Sequence, residues 1–316
     1  MKILVTGAAG FIGSHVAEAL LKRGDAVIGV DCINDYYDVK FKKENLGILN
    51  KYPCFVFYKA DICDFKAMKK VFDKENPEKV VHLAARAGVR PSIDNPFIYE
   101  ETNVKGTLNL LELAKEAKVK SFVSASSSSV YGNQKKIPFS EKDNVDHPIS
   151  PYAATKKAGE LLCHTYHHLY GMKITCLRFF TVYGPRGRPD MAPYMFVNNV
   201  SKGAPIKKFG DGKSRRDYTF ITDITEGVLA AADRELEFEI INLGNNKPVS
   251  LNEFIAIVEK LVGKKAAANE MPMQPGDVDI TYADISKAKK LLGYYPKTRF
   301  EEGMKQFVEW YKKNRF

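Results

Sequence analysis

The run from Lys2 to Asp31, "KILVTGAAGFIGSHVAEALLKRGDAVIGVD", leaves this chain few ways to fold. "KILVTG" reads as an apolar strand, "AAGFIGSHVAEALLKRG" as an amphipathic helix ending at a glycine, and "AVIGVD" as a second strand. Gly7, Gly10 and Gly13 fall where the first strand turns into the helix. There they let the backbone approach a diphosphate lying on the helix N-terminus. Asp31 ends the second strand in reach of a ribose hydroxyl pair. Such a glycine pattern alone also suits a turn used only for close helix–strand packing. Between two strands and followed by the acid, it predicts a dinucleotide site. No arginine follows Asp31 closely and Lys40 is the first cation after it, so an unphosphorylated ribose is expected.

The alternation continues. "CFVFYKADI", "KVVHLAA", "KSFVSASS" and "KITCLRFF" read as further strands with helical stretches between them. Repeated β-α units imply an α/β fold with a doubly wound parallel sheet. Asp61 and Ile62 end the third strand, and Leu83, Ala84 and Ala85 the fourth, on the edge that lines a cofactor crevice. His82 reads as a packed core histidine rather than a ligand. Asn103 is either an exposed amide or a polar bridge to the catalytic strand.

The fifth strand closes in "SASSSSVYG", with four consecutive hydroxyls. "SPYAATKKAGELLCHTYHHLYG" then reads as one helix, entered through Ser150 and Pro151. Tyr152 and Lys156 are i and i+4, hence on one face. A phenol has a pKa of about 10 and is a poor base at neutral pH. A neighbouring ammonium and a cationic nicotinamide ring favour the phenolate, and a serine hydroxyl can bridge it to a substrate oxygen. This set suits proton removal from a secondary alcohol. His164, His167 and His168 lack a carboxylate or cysteine at ligand spacing, so they read as a polar helix face and no metal is expected.

Composition narrows the partners. The 316 residues are 45% hydrophobic and 27% charged, enough for two lobes around a cleft. The net charge of +10 comes from lysines scattered along helices, as in "LAKEAKVKS", with no aromatic-and-basic stripe for nucleic acid. No apolar run reaches the roughly 18 residues of a membrane span. The first residues already read as a core strand, so neither a signal peptide nor an anchor is expected. With five cysteines, an odd number, a cytoplasmic protein with reduced thiols is expected. "TVYGPRGRPDM" is a Gly/Pro loop presenting Arg186 and Arg188, either a solvated surface or a planar anion clamp.

"TGAAGFIG", "HLAA", "SVYG", "PYAATK" and "LRFFTVYGP" resemble the extended short-chain dehydrogenase/reductase superfamily, and the likeness runs from Met1 to "FVEWYKK". It implies a Rossmann domain over residues 1–180 and a smaller substrate-binding α/β lobe over 181–316, of which about 217–244 returns to pack on the first domain. It implies Tyr152 as acid/base, Lys156 as the holder of phenolate and nicotinamide ribose, and Ser127 as the catalytic hydroxyl. Cofactor contacts would come from Gly7, Gly10, Phe11, Ile12, Gly13, Asp31, Asn34, Asp61, Ile62, Leu83, Ala84, Ala85 and Asn103, with Tyr152 and Lys156.

The segment "GDGKSRRDYTF" resembles the family stretch whose arginine, here Arg216, meets a nucleotide diphosphate, and Asp277 matches a nucleoside contact. "FFTVYGPRGRPDMA" resembles the UDP-glucuronate 4-epimerases, where Thr181 stands in place of the asparagine of relatives acting on neutral hexoses. Pro193 departs from the aromatic usual there. The resemblance thus implies tightly bound NAD and C4 epimerisation of UDP-glucuronate to UDP-galacturonate through a 4-keto sugar. The sugar acid would meet Arg186 and Arg188, with Ser128, Ser129, Arg90 and Tyr194 beside Ser127, Tyr152 and Thr181. A homodimer is implied through helices around 97–118 and 150–170. The competing readings are a UDP-glucose 4-epimerase, a 4,6-dehydratase (which would carry an Asp-Glu pair at 128–129) and a non-catalytic NAD sensor.

Overall fold

The computed structural model describes residues 1–272 and 278–315. Its strands are β1 (Lys2–Thr6), β2 (Ala26–Asp31), β3 (Phe55–Lys59), β4 (Lys79–His82), β5 (Ser121–Ser127), β6 (Ile174–Phe179), β7 (Thr181–Tyr183), β8 (Ile206–Phe209), β9 (Arg215–Phe220), β10 (Phe238–Leu243), β11 (Pro248–Ser250) and β12 (Ala268–Met271). The helices of the first half are α1 (Phe11–Lys22), α2 (Val39–Leu49), α3 (Phe65–Glu75), α4 (Val89–Asp94), α5 (Pro96–Glu100), α6 (Gly106–Glu116) and α7 (Pro151–Tyr170). The second half adds α8 (Ala192–Lys202), α9 (Ile221–Arg234), α10 (Leu251–Val262), α11 (Ser286–Leu292) and α12 (Phe300–Arg315).

Seven strands form one sheet in the order β10-β6-β5-β4-β1-β2-β3, every pair parallel. A parallel strand pair needs a long crossover, and helices on both faces then cover the sheet. That burial accounts for the nearly unbroken apolar runs: Ile3, Leu4 and Val5 of β1 and Val80 and Val81 of β4 are wholly buried. The β1–α1 turn is built by two glycines. Gly7 holds φ +70°, where an L side chain is strained, and a Cβ on Gly13 would lie 2.0 Å from Gly7 O.

The second half makes a three-stranded sheet, β11-β9-β7, and a β12-β8 pair. Phe196 stacks on Phe254 with centroids 5.0 Å apart, and Tyr218 and Phe300 close on them at 4.8 Å from each other. Each fully buried phenylalanine of this cluster contributes roughly 1.5–3 kcal/mol. The chain then returns to the large sheet. Helix α9 packs on α1, and β10 runs beside β6 from Phe238↔Ile174 to Leu243↔Phe179.

Helix α7 carries the sequence-predicted acid/base pair and is bounded as its residues require. Ser150 caps it by accepting from Ala153 N at 3.1 Å, Pro151 opens its first turn, and Gly171 ends it at φ +64°. None of the helices among the described residues is long and apolar enough to cross a membrane.

Candidate active site

One cavity of about 670 Å³ opens along the carboxyl ends of the parallel strands, where an open α/β sheet binds its ligands. At one end Gly7, Gly10, Phe11, Ile12 and Gly13 line it. Gly10 is the N-cap of α1 and brings no side chain to the helix start. The first N–H groups of α1 are therefore available to an anion.

Asp31 lies beyond them. Its carboxylate accepts from Ala9 N at 3.2 Å and Ile33 N at 2.8 Å. Burial raises its pKa, against the Lys42 charge and these two bonds. Asn34, Asp61, Ile62, Leu83, Ala84 and Ala85 line the same wall. The cation beside Asp31 is Lys42, not Lys40. Lys42 lies 3.9 Å from the carboxylate and donates to Asn34 Oδ1 at 2.8 Å, whereas Lys40 pairs with Asp38 at an exposed corner. Burial depresses the Lys42 pKa, with Asp31 opposing that shift.

Ser127 and Tyr152 line the same cavity. The Ser127 hydroxyl donates to Ser129 Oγ and accepts from Ser129 N, both at 3.1 Å. Burial raises the phenol pKa, and the Ser127 hydroxyl and the Arg188 charge act against it. Lys156 stands one turn along α7, outside the lining of the large cavity. Its ammonium donates to Ala125 O at 2.7 Å, and burial lowers its pKa to about 8. It borders a separate space of about 10 Å³, with Asn103, Thr107, Thr155 and Glu160. Lys156 thus sits against the end of β5, one helical turn from Tyr152.

Asn103 also stands off the cavity lining. It is a buried bridge, pairing with the backbone of Arg86 at 2.8 and 3.0 Å and donating to Thr155 Oγ1 at 3.1 Å. His82 joins Thr6 (2.8 Å) to Thr107 (3.0 Å), and burial together with the Lys156 charge lowers its pKa to about 3. His164 and His167 pack against Phe238.

At the far end Ser128, Ser129, Thr181, Arg188 and Arg216 line the cavity. The two arginines of the 186–188 loop part company. Arg188 reaches the cavity. Arg186 holds φ +62° and turns to α1, where it meets Glu18 at 2.7 Å and His15 at 3.2 Å. It is a strut between the halves of the chain and not part of a clamp. Tyr194 is likewise withdrawn, buried among Phe41, Phe307 and Tyr311. Pro193 fits there because the first turn of α8 needs no N–H from it. Arg90 lays its guanidinium over Phe209 at 4.8 Å, outside the cavity lining. Asp277 lies outside the described residues.

A buried charge pair went unforeseen. Glu160, one turn beyond Lys156, takes Arg178 Nε and Nη2, each at 2.8 Å, and the Ser126 hydroxyl at 2.6 Å. Arg178 Nη1 donates to Tyr131 at 3.0 Å, and Tyr131 donates to Asn242 at 2.7 Å. The network ties α7 to β5, β6 and β10. Its only sequence signal is a glutamate at the helical spacing of Tyr152 and Lys156.

A family model described as GDP-mannose 4,6 dehydratase matches residues 4–307. A UDP-glucuronate 4-epimerase of Thermodesulfobacterium geofontis is 53% identical, over 98% of this chain and 96% of its own. A crystal structure of UDP-glucuronic acid 4-epimerase from Bacillus cereus, in complex with UDP-glucuronic acid and NAD, matches with a TM-score of 0.93 at 39% identity, over 99% of each chain. A UDP-glucose 4-epimerase of Thermotoga maritima, with UDP-glucose, matches with a TM-score of 0.91 at 34% identity, again over 99% of each chain. The chain belongs to the GDP-mannose 4,6 dehydratase family, within the extended short-chain dehydrogenases/reductases.

Proposed function

We propose that this extended short-chain dehydrogenase/reductase is an isomerase that interconverts UDP-glucuronate and UDP-galacturonate at C4, with NAD held tightly. The observation that carries the reading is the sharing of one cavity by the Tyr152–Ser127 pair and Arg188. A secondary alcohol and a sugar carboxylate can then be engaged together. The relatives from Thermodesulfobacterium geofontis and Bacillus cereus support the same substrate.

The residues present fit a dinucleotide. The bare glycine turn and uncapped α1 suit a diphosphate, and Asp31 with Lys42 suits a ribose. Bound NAD supplies a reversible hydride acceptor for C4. The protein's own part begins with the proton. Tyr152 Oη accepts it from the 4-hydroxyl and returns it, while Ser127 bridges phenol and sugar oxygen. Arg216 would meet the diphosphate. Arg188 would take the C6 carboxylate, with Ser128, Ser129 and Thr181 as further donors. The oxidised sugar is a β-keto acid, so fixed donors on the carboxylate keep the C5–C6 bond out of line with the carbonyl π-system. At 128–129 there are two serines rather than the acid pair of a dehydratase, which is why epimerisation is preferred.

The test is incubation with UDP-glucuronate, UDP-glucose and UDP-xylose, with products resolved by NMR. Appearance of UDP-galacturonate is expected. Turnover of UDP-glucose with none of the acid would sink the assignment. A homodimer in the cytoplasm is part of the same proposal. Exposed apolar side chains on the two helices named for pairing, Phe97 (82%) on α5 and Leu161 (56%) and Leu169 (60%) on α7, support a second copy. Sedimentation at a monomer's mass would remove the dimer.

A further inference from the structure

Arg188 is already partnered before any ligand arrives. Its Nε donates to Asp190 Oδ1 at 3.0 Å and its Nη2 to Asp190 Oδ2 at 2.5 Å, a two-bond fork on one edge of the guanidinium. One face of the group lies against the Tyr36 ring, 5.2 Å from its centroid. Burial opposes the Arg188 charge most strongly, and the Asp190 bonds and charge together with Tyr36 and Tyr37 outweigh it.

A guanidinium has five N–H donors in one plane. The fork occupies the Nε–Nη2 edge. The Nη1–Nη2 edge keeps the parallel pair of donors that a second carboxylate requires. Arg188 lines the cavity and Asp190 does not. The carboxylate therefore acts on the arginine and not on a ligand.

Local sequence builds the fork. Met191 N donates to Arg188 O at 3.2 Å, which closes a turn over Pro189 and Asp190. Proline at the second position of such a turn presets its φ. The neighbouring Arg186–Glu18 bond, 2.7 Å, pins the same loop to α1.

We propose that Asp190 is a positioning residue: it holds Arg188 by the Nε–Nη2 edge so that the adjoining Nη1–Nη2 edge meets the carboxylate of the sugar acid. This rests on Arg188 taking that carboxylate. Asp190 is thereby a determinant of acid-sugar preference without touching the substrate. An opposite reading of the same contact is that Asp190 competes with the substrate for Arg188, and the two predict changes of opposite sign.

The experiment measures equilibrium binding of UDP-glucuronate, UDP-glucose and UDP to the full-length, NAD-loaded protein. Wild type, Asp190→Ala, Asp190→Asn, Arg188→Ala and the Arg188→Ala/Asp190→Ala double variant are compared. Asp190→Ala should weaken UDP-glucuronate by about tenfold or more, since small misplacements of a positioning group are costly. UDP and UDP-glucose should stay within about twofold, a selectivity that general loss of structure would not give. Asp190→Asn keeps the shape and half the fork, and should fall between. In the Arg188→Ala background, Asp190→Ala should add nothing, because the two act through one contact. Tighter binding of UDP-glucuronate by Asp190→Ala would overturn positioning in favour of competition. Unchanged or uniformly weakened binding of all three ligands would also overturn it. If Arg188→Ala itself spares UDP-glucuronate, the carboxylate assignment of Arg188 falls first and Asp190 with it. If Arg188→Ala is selective and Asp190→Ala is not, only the Asp190 role falls.

Discussion

Glu160→Gln should be among the most damaging single changes to stability in the chain. Glu160 and Arg178 each have side chains only 1% exposed. The carboxylate accepts three bonds: Arg178 Nε, Arg178 Nη2 and Ser126 Oγ. Glutamine keeps the shape but turns one acceptor into a donor facing a guanidinium, and leaves the Arg178 charge buried without its counter-ion. Breaking a buried pair from one side typically costs about 3–5 kcal/mol. An exposed pair such as Lys260–Glu301, with side chains 73% and 53% exposed, is the internal control, and Glu301→Gln should cost under about 1 kcal/mol. Removing both charges, Glu160→Leu with Arg178→Met, should cost less than Glu160→Gln alone, because both desolvation penalties vanish together. Urea unfolding at fixed NAD reads these differences as midpoint shifts at constant slope. A Glu160→Gln midpoint no further from wild type than that of Glu301→Gln would refute the reasoning, as would a double variant as poor as the sum of its parts.

Arg188→Ala should weaken UDP-glucuronate by roughly 2–5 kcal/mol, the range for truncating one member of a desolvated charge pair. UDP should bind almost as before, and equal losses for both would move Arg188 to the diphosphate. Tyr152→Phe should keep fold and cofactor yet lose turnover by about two to four orders of magnitude, the usual worth of a positioned proton carrier. Near-normal turnover would reassign the base. Lys156 gives a pH signature. Its folded pKa, about 8, lies below the ordinary lysine value of 10.5, so the unfolded chain binds more protons between those limits. Stability should therefore rise from pH 8 to 10.5 in wild type relative to Lys156→Met, and parallel curves would refute the depressed value.

The features legible in the sequence are those carried by short-range spacing. The glycine turn, the serine-rich strand end and the i, i+4 pair Tyr152–Lys156 each lie within one strand–turn–helix step. What stayed hidden was decided by tertiary placement. Arg186 and Arg188 look alike in "PRGRP", yet a left-handed φ at Arg186 sends its side chain to Glu18 while Arg188 faces the cavity. Lys42 sits one turn into α2, and only the packing of that helix brings it to Asp31. Tyr194, one residue beyond the proline that stands where the family has an aromatic, is drawn into the aromatic core by Phe307 and Tyr311. Arg178 reaches Glu160 of α7 from β6, a meeting no linear period records.

The return of β10 to the edge of the large sheet bears on how the polypeptide is made. As the chain leaves the ribosome, β6 emerges with one side of its backbone unpaired, and its partner is not synthesised until Phe238–Leu243 appear. All of β7, α8, β8, β9 and α9 must be translated in that interval. At about 5–20 residues per second the wait lasts several seconds. An open strand edge is a template for pairing with another chain during that time. The nascent N-terminal half thus presents β6 as its open edge until β10 docks and takes that outer place, and the speed of translation across residues 181–237 sets how long β6 itself is exposed.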